Sequence, residues 1–486
     1  MFFLSYIFII FIMIVVLIYY LLKPKYRYLC ILSASWVFYG WADVKMLLIL
    51  MLATVITYLG GICIAKKKGT FWLFFFANLA ILFLYKYTGF VLENMSLIIQ
   101  QLGIGKGITA NFSILTPLGL SFYIFQSTTY LGDVKNNKIG IVKNFWKYAA
   151  FVSFFPTISS GPIQKSRELI PQLECTASFK FDNILKGTLF ILYGFFEKLF
   201  VSNQLALIVD RIFDNYMAYD GIYYLIAAIC FSLQIYSDFS SYSDIARGAA
   251  KLFGINVGKN FDNPYLSQSV TEFWKRWHKS LNSWFLEYIY IPLGGSRRGK
   301  MRQYINIMIV FLISGAWHGT SWHYIMWGGI NGILQLSENM LGLVSGSHNK
   351  RMNRTIEDIP ISIGILRRFI VFILITITWV FFRMPSVVGS LHFIKNMLFF
   401  YPVSIFDENI LLIGGSIAKT VGIALLGTLF LIIQYFRKEE RKCYKVFVEQ
   451  PWIVQCLLIA CIVCMLFFAS VSGTAATNTE FIYFQF

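Results

Sequence analysis

Histidine is the scarcest residue with proton chemistry in this chain, five among 486. His318 and His323 lie in the run Ser314-Gly-Ala-Trp-His-Gly-Thr-Ser-Trp-His-Tyr324, and His318 interrupts an apolar stretch that starts near Ile305 and resumes beyond Ile325. An ionisable group at membrane depth costs about 3 kcal/mol and by default serves a cavity or a pathway. His318 is therefore read as a working residue, against the alternative of a neutral imidazole bonded to a neighbouring helix. Gly315 and Gly319 flank it and leave room for a ligand or a close helix. Five residues of helix turn the chain by roughly 140°, so His318 and His323 are not expected to share a site. An imidazole with no Ser or Cys partner suits a general base acting on a substrate hydroxyl. His348 and His392 have no polar cluster around them and read as solvated or interfacial.

His278 lies in Thr271-Glu-Phe-Trp-Lys-Arg-Trp-His-Lys-Ser280. Spacings of three and four put Trp274, Trp277 and His278 near one helical face, with Lys275 and Arg276 in the gaps. Such a helix either receives a phosphate-bearing donor or anchors at the membrane interface, and the sequence leaves both open. The stretch Gln234-Ile-Tyr-Ser-Asp-Phe-Ser-Ser-Tyr-Ser-Asp-Ile-Ala-Arg-Gly248 places Asp238, Asp244 and Arg247 among apolar residues. Asp244 and Arg247 are spaced to pair on one face, so the stretch reads first as a structural polar interior. No phosphate-binding Walker loop, G-x-S-x-G elbow or H-E-x-x-H zinc motif occurs.

The elements that must hold these residues follow from composition. The chain is 57% hydrophobic and 14% charged, where a soluble domain carries roughly 25% charged residues. Apolar runs at 2–22, 28–42, 46–65, 70–90, 185–202, 222–237, 305–317, 321–343, 365–383, 410–435 and 452–472 follow one another with short breaks. With the broken segments 114–131 and 145–162 they give roughly 11 to 13 membrane segments at the usual span length. Pro117, Pro156, Gly161 and Pro162 make those two segments half-helices or re-entrant pieces, expected inside the protein because non-helical backbone does not survive against lipid. The block from Phe261 to Lys300 is too polar to span and reads as an interfacial helix.

The formal net charge of +18 fits Lys and Arg crowded in cytoplasmic loops rather than nucleic-acid binding. Placing Lys23, Lys25 and Arg27, then Lys66 to Lys68, and later Arg437 to Lys445 inside puts both termini outside. Residues 1–22 read as a retained span, not a removed signal. The eight cysteines sit mostly in apolar runs and read as small hydrophobes, with neither a zinc site nor a disulfide framework expected.

In this order, several motifs resemble the membrane-bound O-acyltransferase family, in its bacterial alginate O-acetyltransferase branch. They are Pro117-Leu-Gly-Leu-Ser-Phe-Tyr-Ile-Phe-Gln126, Phe155-Pro to Gly161-Pro-Ile-Gln164, Gln234-Ile-Tyr-Ser-Asp-Phe-Ser240, Asn263-Pro-Tyr265, Phe273-Trp-Lys-Arg-Trp-His278, Tyr290-Ile-Pro-Leu-Gly-Gly295 and Trp317-His-Gly-Thr-Ser-Trp322. Ser241 stands where the branch commonly has glycine. The resemblance implies an all-α polytopic membrane protein, a single domain over 1–486, with helices and re-entrant pieces around a central tunnel and a short extracytoplasmic aromatic tail at 473–486. It implies that His318 is the active-site histidine and His278 the branch's second one. Trp274, Lys275, Arg276, Trp277, Asn263, Tyr265 and Trp317 become substrate-binding candidates.

The tail Phe481-Ile-Tyr-Phe-Gln-Phe486 resembles one in which a tyrosine carries the acyl group. Tyr483 is then either a covalent relay or an interfacial aromatic anchor. No bound cofactor or metal is implied. The donor would be acetyl-CoA or an acyl-phosphopantetheine carrier entering from the cytoplasm. The expected partners are membrane lipid and an extracytoplasmic acetyltransferase of SGNH type, with no nucleic acid. The expected place is the cytoplasmic membrane and the expected reaction O-acetylation of a cell-envelope polysaccharide or peptidoglycan. D-alanyl transfer to teichoic acid and, from another class, a polysaccharide or lipid-linked-sugar transporter are the competing readings.

Overall fold

The computed structural model describes residues 3–41, 43–103, 116–175, 178–341, 360–399, 408–471 and 481–482, and among them the regular structure is helical, with no strand. The chain divides into two compact units. Residues 1–191, 243–259 and 286–288 form the first, and 192–242, 260–285 and 289–486 the second. Wholly in the first unit are α1 (Tyr6–Leu21), α2 (Arg27–Gly40), α3 (Val44–Lys66), α4 (Phe71–Leu82), α5 (Thr88–Gln101), α6 (Leu120–Lys135), α7 (Phe145–Val152) and α8 (Ser166–Glu174). Helix α9 (Phe181–Phe196) and helix α11 (Ile222–Leu252) contribute residues to both units, and α10 (Asn203–Phe213) lies between them in sequence. The second unit continues with α12 (Val270–Arg276), α13 (Lys279–Phe285), α14 (Lys300–His318), α15 (Trp322–Met340), α16 (Ile361–Arg383), α17 (Val387–Leu398), α18 (Ile417–Arg437), α19 (Glu440–Val448) and α20 (Trp452–Val471).

Five helical stretches are long and apolar enough to cross a membrane: Val44–Lys66, Lys68–Gln101, Ile222–Leu252, Ile361–Arg383 and Ile417–Arg437. A sixth arises if Lys442–Val448 and Trp452–Phe467, bent by 115°, count as one. The chain is a multi-pass membrane protein. The other apolar runs expected from sequence are shorter, bent or half-polar helices, because much of this chain packs against protein and not lipid.

The two Pro-broken segments show that distinction. Every residue of α6 from Leu120 to Val134 is buried. Segment 145–162 is helical only through Val152 and then runs irregular but buried to Gln164. Its backbone groups find side-chain partners, as buried polar groups must. Ser35 Oγ accepts from Phe155 N–H at 3.1 Å and Gln126 Oε1 from Gln164 N–H at 3.2 Å. Gln126 Nε2 donates to Phe151 O at 2.6 Å. The first unit also ties α6 and α8 to residues 286–288 through ions. Arg167 reaches Asp133 and Glu287, each at 2.8 Å, and Lys165 reaches Glu287 at 2.9 Å. Burial alone would raise the Glu287 pKa, but the bonds from Arg167, Lys138 and Lys165 hold its carboxyl well below the usual carboxylate range. Asp244 and Arg247 pair at 2.8 Å, as their spacing predicts.

In the second unit α14 packs most extensively on α15, and two glycines allow the approach. A Cβ on Gly315 would sit 2.4 Å from the Tyr324 carbonyl oxygen, and one on Gly328 would sit 2.3 Å from that of Phe311. Backbone cannot rotate away as a side chain can. Gly315→Ala is expected to wedge the hairpin open, lowering stability by about 1–3 kcal/mol and displacing the end of α14. Thermal unfolding of the purified protein in detergent would show it.

Candidate active site

His318 is the last residue of α14, capped by Gly319 in extended conformation. It is 4% exposed and sits in an aromatic cage. The rings of Trp317, Trp327 and Phe382 lie 4.8, 5.1 and 5.2 Å from its own, each at a steep angle. Trp327 stacks on Trp379 at 5.6 Å, and Trp274 meets Trp327 edge-on at 5.4 Å. The carbonyl end of a helix favours nearby positive charge by about 0.3–1 kcal/mol. The position therefore points the carbonyl end of α14 at the imidazole.

His323 does other work. The helix breaks at Gly319 to Ser321, so the rotation argument, which assumed one continuous helix, does not apply. His323 Nδ1 lies 2.9 Å from the Phe381 carbonyl oxygen. A carbonyl only accepts, so Nδ1 carries the proton and serves one of the orphan carbonyls at the end of α16.

Sequence spacing put Trp274, Trp277 and His278 on one helix, but the structure breaks it. Helix α12 ends at Arg276, Trp277 is extended, and His278 adopts φ +43°. The expected interfacial helix over 261–300 is thus a set of short helices and turns, buried in its first half around Phe273 to His278 and mostly exposed from 291 to 300. Hydrogen bonds fix the start of α12 and the backbone on either side of the break. The Glu338 carboxylate accepts the Thr271 N–H at 2.8 Å, capping the start of α12. Asn260 O accepts the Lys279 N–H at 2.8 Å, and Asn282 Nδ2 donates to Trp277 O at 2.6 Å. A left-handed residue other than glycine costs about 1–2 kcal/mol, and such strain concentrates at functional positions.

The break turns His278 inward, 2% exposed, which excludes a plain surface anchor. Its ring lies 4.7 Å from Phe239 and 6.1 Å from Trp317. Burial pushes its pKa down to about 3, so the imidazole is neutral at physiological pH. In the unfolded chain the group titrates near 6.5. As pH falls below that value the unfolded state takes up the proton first, so the fold loses stability between about 6.5 and about 3. His278→Asn, which tolerates the left-handed backbone, is expected to show a shallower loss of melting temperature between pH 6.5 and 4 than the unaltered protein.

The remaining candidates separate. Trp277 is buried against Trp379 at 5.0 Å. Tyr265 donates its hydroxyl to Ser232 O at 2.7 Å and receives the Trp379 N–H at 3.2 Å, so it braces this layer. Asn263 is left-handed at φ +50° and buried, with Oδ1 unbonded among the described residues. Lys275 is exposed and Arg276 pairs with Glu272 at 2.6 Å. Tyr483 and His348 lie outside the described residues. Sequence reasoning missed Trp327, Trp379 and Phe382, ordinary apolar helix residues until the fold gathers them. The Trp274 and Trp327 indole N–H groups are buried with no hydrogen-bond acceptor among the described residues. Trp327 lies beside the His318 imidazole and Trp274 packs on Trp327, so these two donors, without an acceptor among the described residues, can serve a substrate oxygen.

Residues 135–384 match the model of the membrane-bound O-acyltransferase family. The chain is 31% identical over 485 residues to a Pseudomonas putida protein named probable alginate O-acetylase, covering 96% of each. It is 31% identical over 411 residues to a peptidoglycan O-acetyltransferase of Helicobacter pylori, covering 78% of this chain and 75% of that one. Likeness to a teichoic acid D-alanyltransferase of Bacillus subtilis is 26% over 245 residues, covering 47% of this chain and 60% of that one.

Proposed function

This chain belongs to the membrane-bound O-acyltransferase family, and we propose that it moves acetyl from a cytoplasmic thioester donor to hydroxyls of a cell-envelope polysaccharide or peptidoglycan, with His318 as general base. The carrying observation is the His318 imidazole, caged by Trp317, Trp327 and Phe382 at the carbonyl end of α14.

In the reaction the acceptor oxygen bonds the acyl carbon while His318 takes the hydroxyl proton. The tetrahedral oxyanion draws hydrogen bonds from the Trp327 and Trp274 N–H groups, which are preorganised because nothing else among the described residues binds them. The carbon–sulfur bond then breaks and the imidazolium returns its proton to the departing thiolate. Thioester and alcohol become ester and thiol with no net proton change. Neutral His278 borders the site as a second imidazole. Tyr483 serves as the first acceptor: its phenolic oxygen takes the acetyl group and passes it to an extracytoplasmic partner of SGNH type, the phenol being restored as the ester exchanges to the polymer hydroxyl. The donor is acetyl-CoA or an acyl-phosphopantetheine carrier. Its phosphates would meet the basic run Lys275 to Arg302. The enzyme sits in the cytoplasmic membrane with both termini outside, the basic loops facing in.

The acetyl reading draws on the two O-acetylating relatives, which match far more of the chain than the D-alanyl one. Membranes containing the protein are expected to discharge radiolabelled acetyl thioester into polymer ester that mild alkali releases. Discharge of a D-alanyl carrier but of no acetyl donor would overturn the acetyl reading in favour of teichoic-acid chemistry.

A further inference from the structure

An ion pair lies inside the second unit, on elements that the site chemistry does not use. Lys198, on the π-helical stretch Glu197–Ser202, meets Asp238 of α11 at 2.5 Å, and both side chains are 1% exposed. Ser202 Oγ donates to the same carboxylate oxygen at 3.0 Å. The other oxygen, Oδ2, accepts the backbone N–H of Ile482 at 2.8 Å, from 244 residues away in sequence. Phe481 is buried there too. Its ring meets Tyr242 edge-on at 5.0 Å and lies 4.8 Å from Lys198 Nζ. Residues 481–482 thus dock on a buried ion pair through contacts that include a backbone hydrogen bond, a cation–π contact and an edge-on aromatic contact. The residue after Asp238 is Phe239, whose ring packs on His278. From there the rings run through Trp317 to His318.

We propose that the Lys198–Asp238 pair is the docking site for the chain's own C-terminal segment, and that docking is required for acyl transfer from the donor. This rests on the reading of the tail as part of the transfer path. Lys198 and Asp238 are positioning residues. An ionisable pair within a membrane segment is costly and ordinarily retained for function. Here the carboxylate's second oxygen gives that function a ligand, a main-chain donor from the end of the chain. The cation beneath Phe481 favours an aromatic ring over an aliphatic one.

The test separates the backbone bond from the side chain. Ile482→Pro deletes the N–H that Asp238 Oδ2 receives from the segment, and Ile482→Ala keeps it. A hydrogen bond to a charged group changes the docked-to-undocked ratio by about 10- to 100-fold. Polymer acetylation is expected to fall at least about 10-fold in Ile482→Pro and to stay near the unaltered level in Ile482→Ala. Release of free thiol from acetyl-CoA should fall with it in Ile482→Pro and stay near the unaltered level in Ile482→Ala, with melting temperatures matching. Removal of residues 481–486 should reproduce the proline result.

Equal acetylation by the proline and alanine variants would overturn the docking proposal, as would unchanged thiol release in Ile482→Pro. Tyr483→Phe distinguishes the underlying reading. Full activity there with loss in Ile482→Pro keeps the dock and removes the phenol relay. The reverse pattern keeps the relay and removes the dock.

Discussion

His318→Ala should lower the turnover of acyl transfer by about 10²- to 10⁴-fold, the range a positioned general base supplies, while KM for the donor changes little. An interaction made only as the proton moves lowers kcat and kcat/KM together. The substitution also empties part of the Trp317, Trp327 and Phe382 cage. A buried truncation of this kind costs about 1–3 kcal/mol, so the variant should unfold at a somewhat lower temperature but still insert and purify. His318→Gln separates the two effects. It refills most of the space and removes the base, so it should recover the melting temperature and none of the rate. The fall in rate on the acid side, which protonation of the base produces, should vanish from the residual activity of both variants. Undiminished acetylation by His318→Gln would end the general-base assignment and leave the imidazole as a packing group.

The sequence shows His318 because a polar residue in an apolar run stands out, and Gly315 because the α14–α15 contact needs a residue without a side chain. It shows the membrane class through composition, and the buried irregular segment after α7 through Pro156, Gly161 and Pro162. What it hides is set by contacts distant along the chain. The run Trp274-Lys-Arg-Trp-His-Lys279 holds no glycine or proline and reads as continuous helix. Asn260, from the preceding loop, and Asn282, in the next helix, bond the backbone on either side of the break at Trp277, where His278 turns into the left-handed region. The cage is hidden for the same reason. Trp327 and Phe382 look like any aromatic on a spanning helix until α14, α15 and α16 bring them to one imidazole. Asp238 was visible as an oddity among apolar residues, but its partner Lys198 sits on another helix. Neither gives any local sign that Ile482 completes the group.

Removing one member of that pair should produce a large stability effect. Replacing either member alone, as in Lys198→Met or Asp238→Leu, leaves the other charge about 1% exposed without its counterion. Breaking a buried pair by removing one partner costs about 3–5 kcal/mol, a large part of the roughly 5–15 kcal/mol that holds a typical domain together. The two single variants are therefore expected to accumulate poorly and to melt far below the unaltered protein. The double variant Lys198→Met/Asp238→Leu removes both charges and fills the space with carbon. Well-packed apolar replacements of buried pairs are often neutral or stabilising, so the double variant should melt well above either single one. Recovery should stop short of the starting point, because Asp238 also accepts from Ser202 and from the Ile482 N–H. Each donor left buried without an acceptor costs about 1–3 kcal/mol. The thermodynamic cycle should thus show strong positive coupling between positions 198 and 238, with a residual deficit traceable to the docked tail. Removing residues 481–486 from the double variant should cost it less than the same truncation costs the unaltered protein, because the bond to Ile482 is already gone. Additive losses across the cycle would mean that the two charges do not sense each other, and that the carboxylate is held by its neutral partners alone.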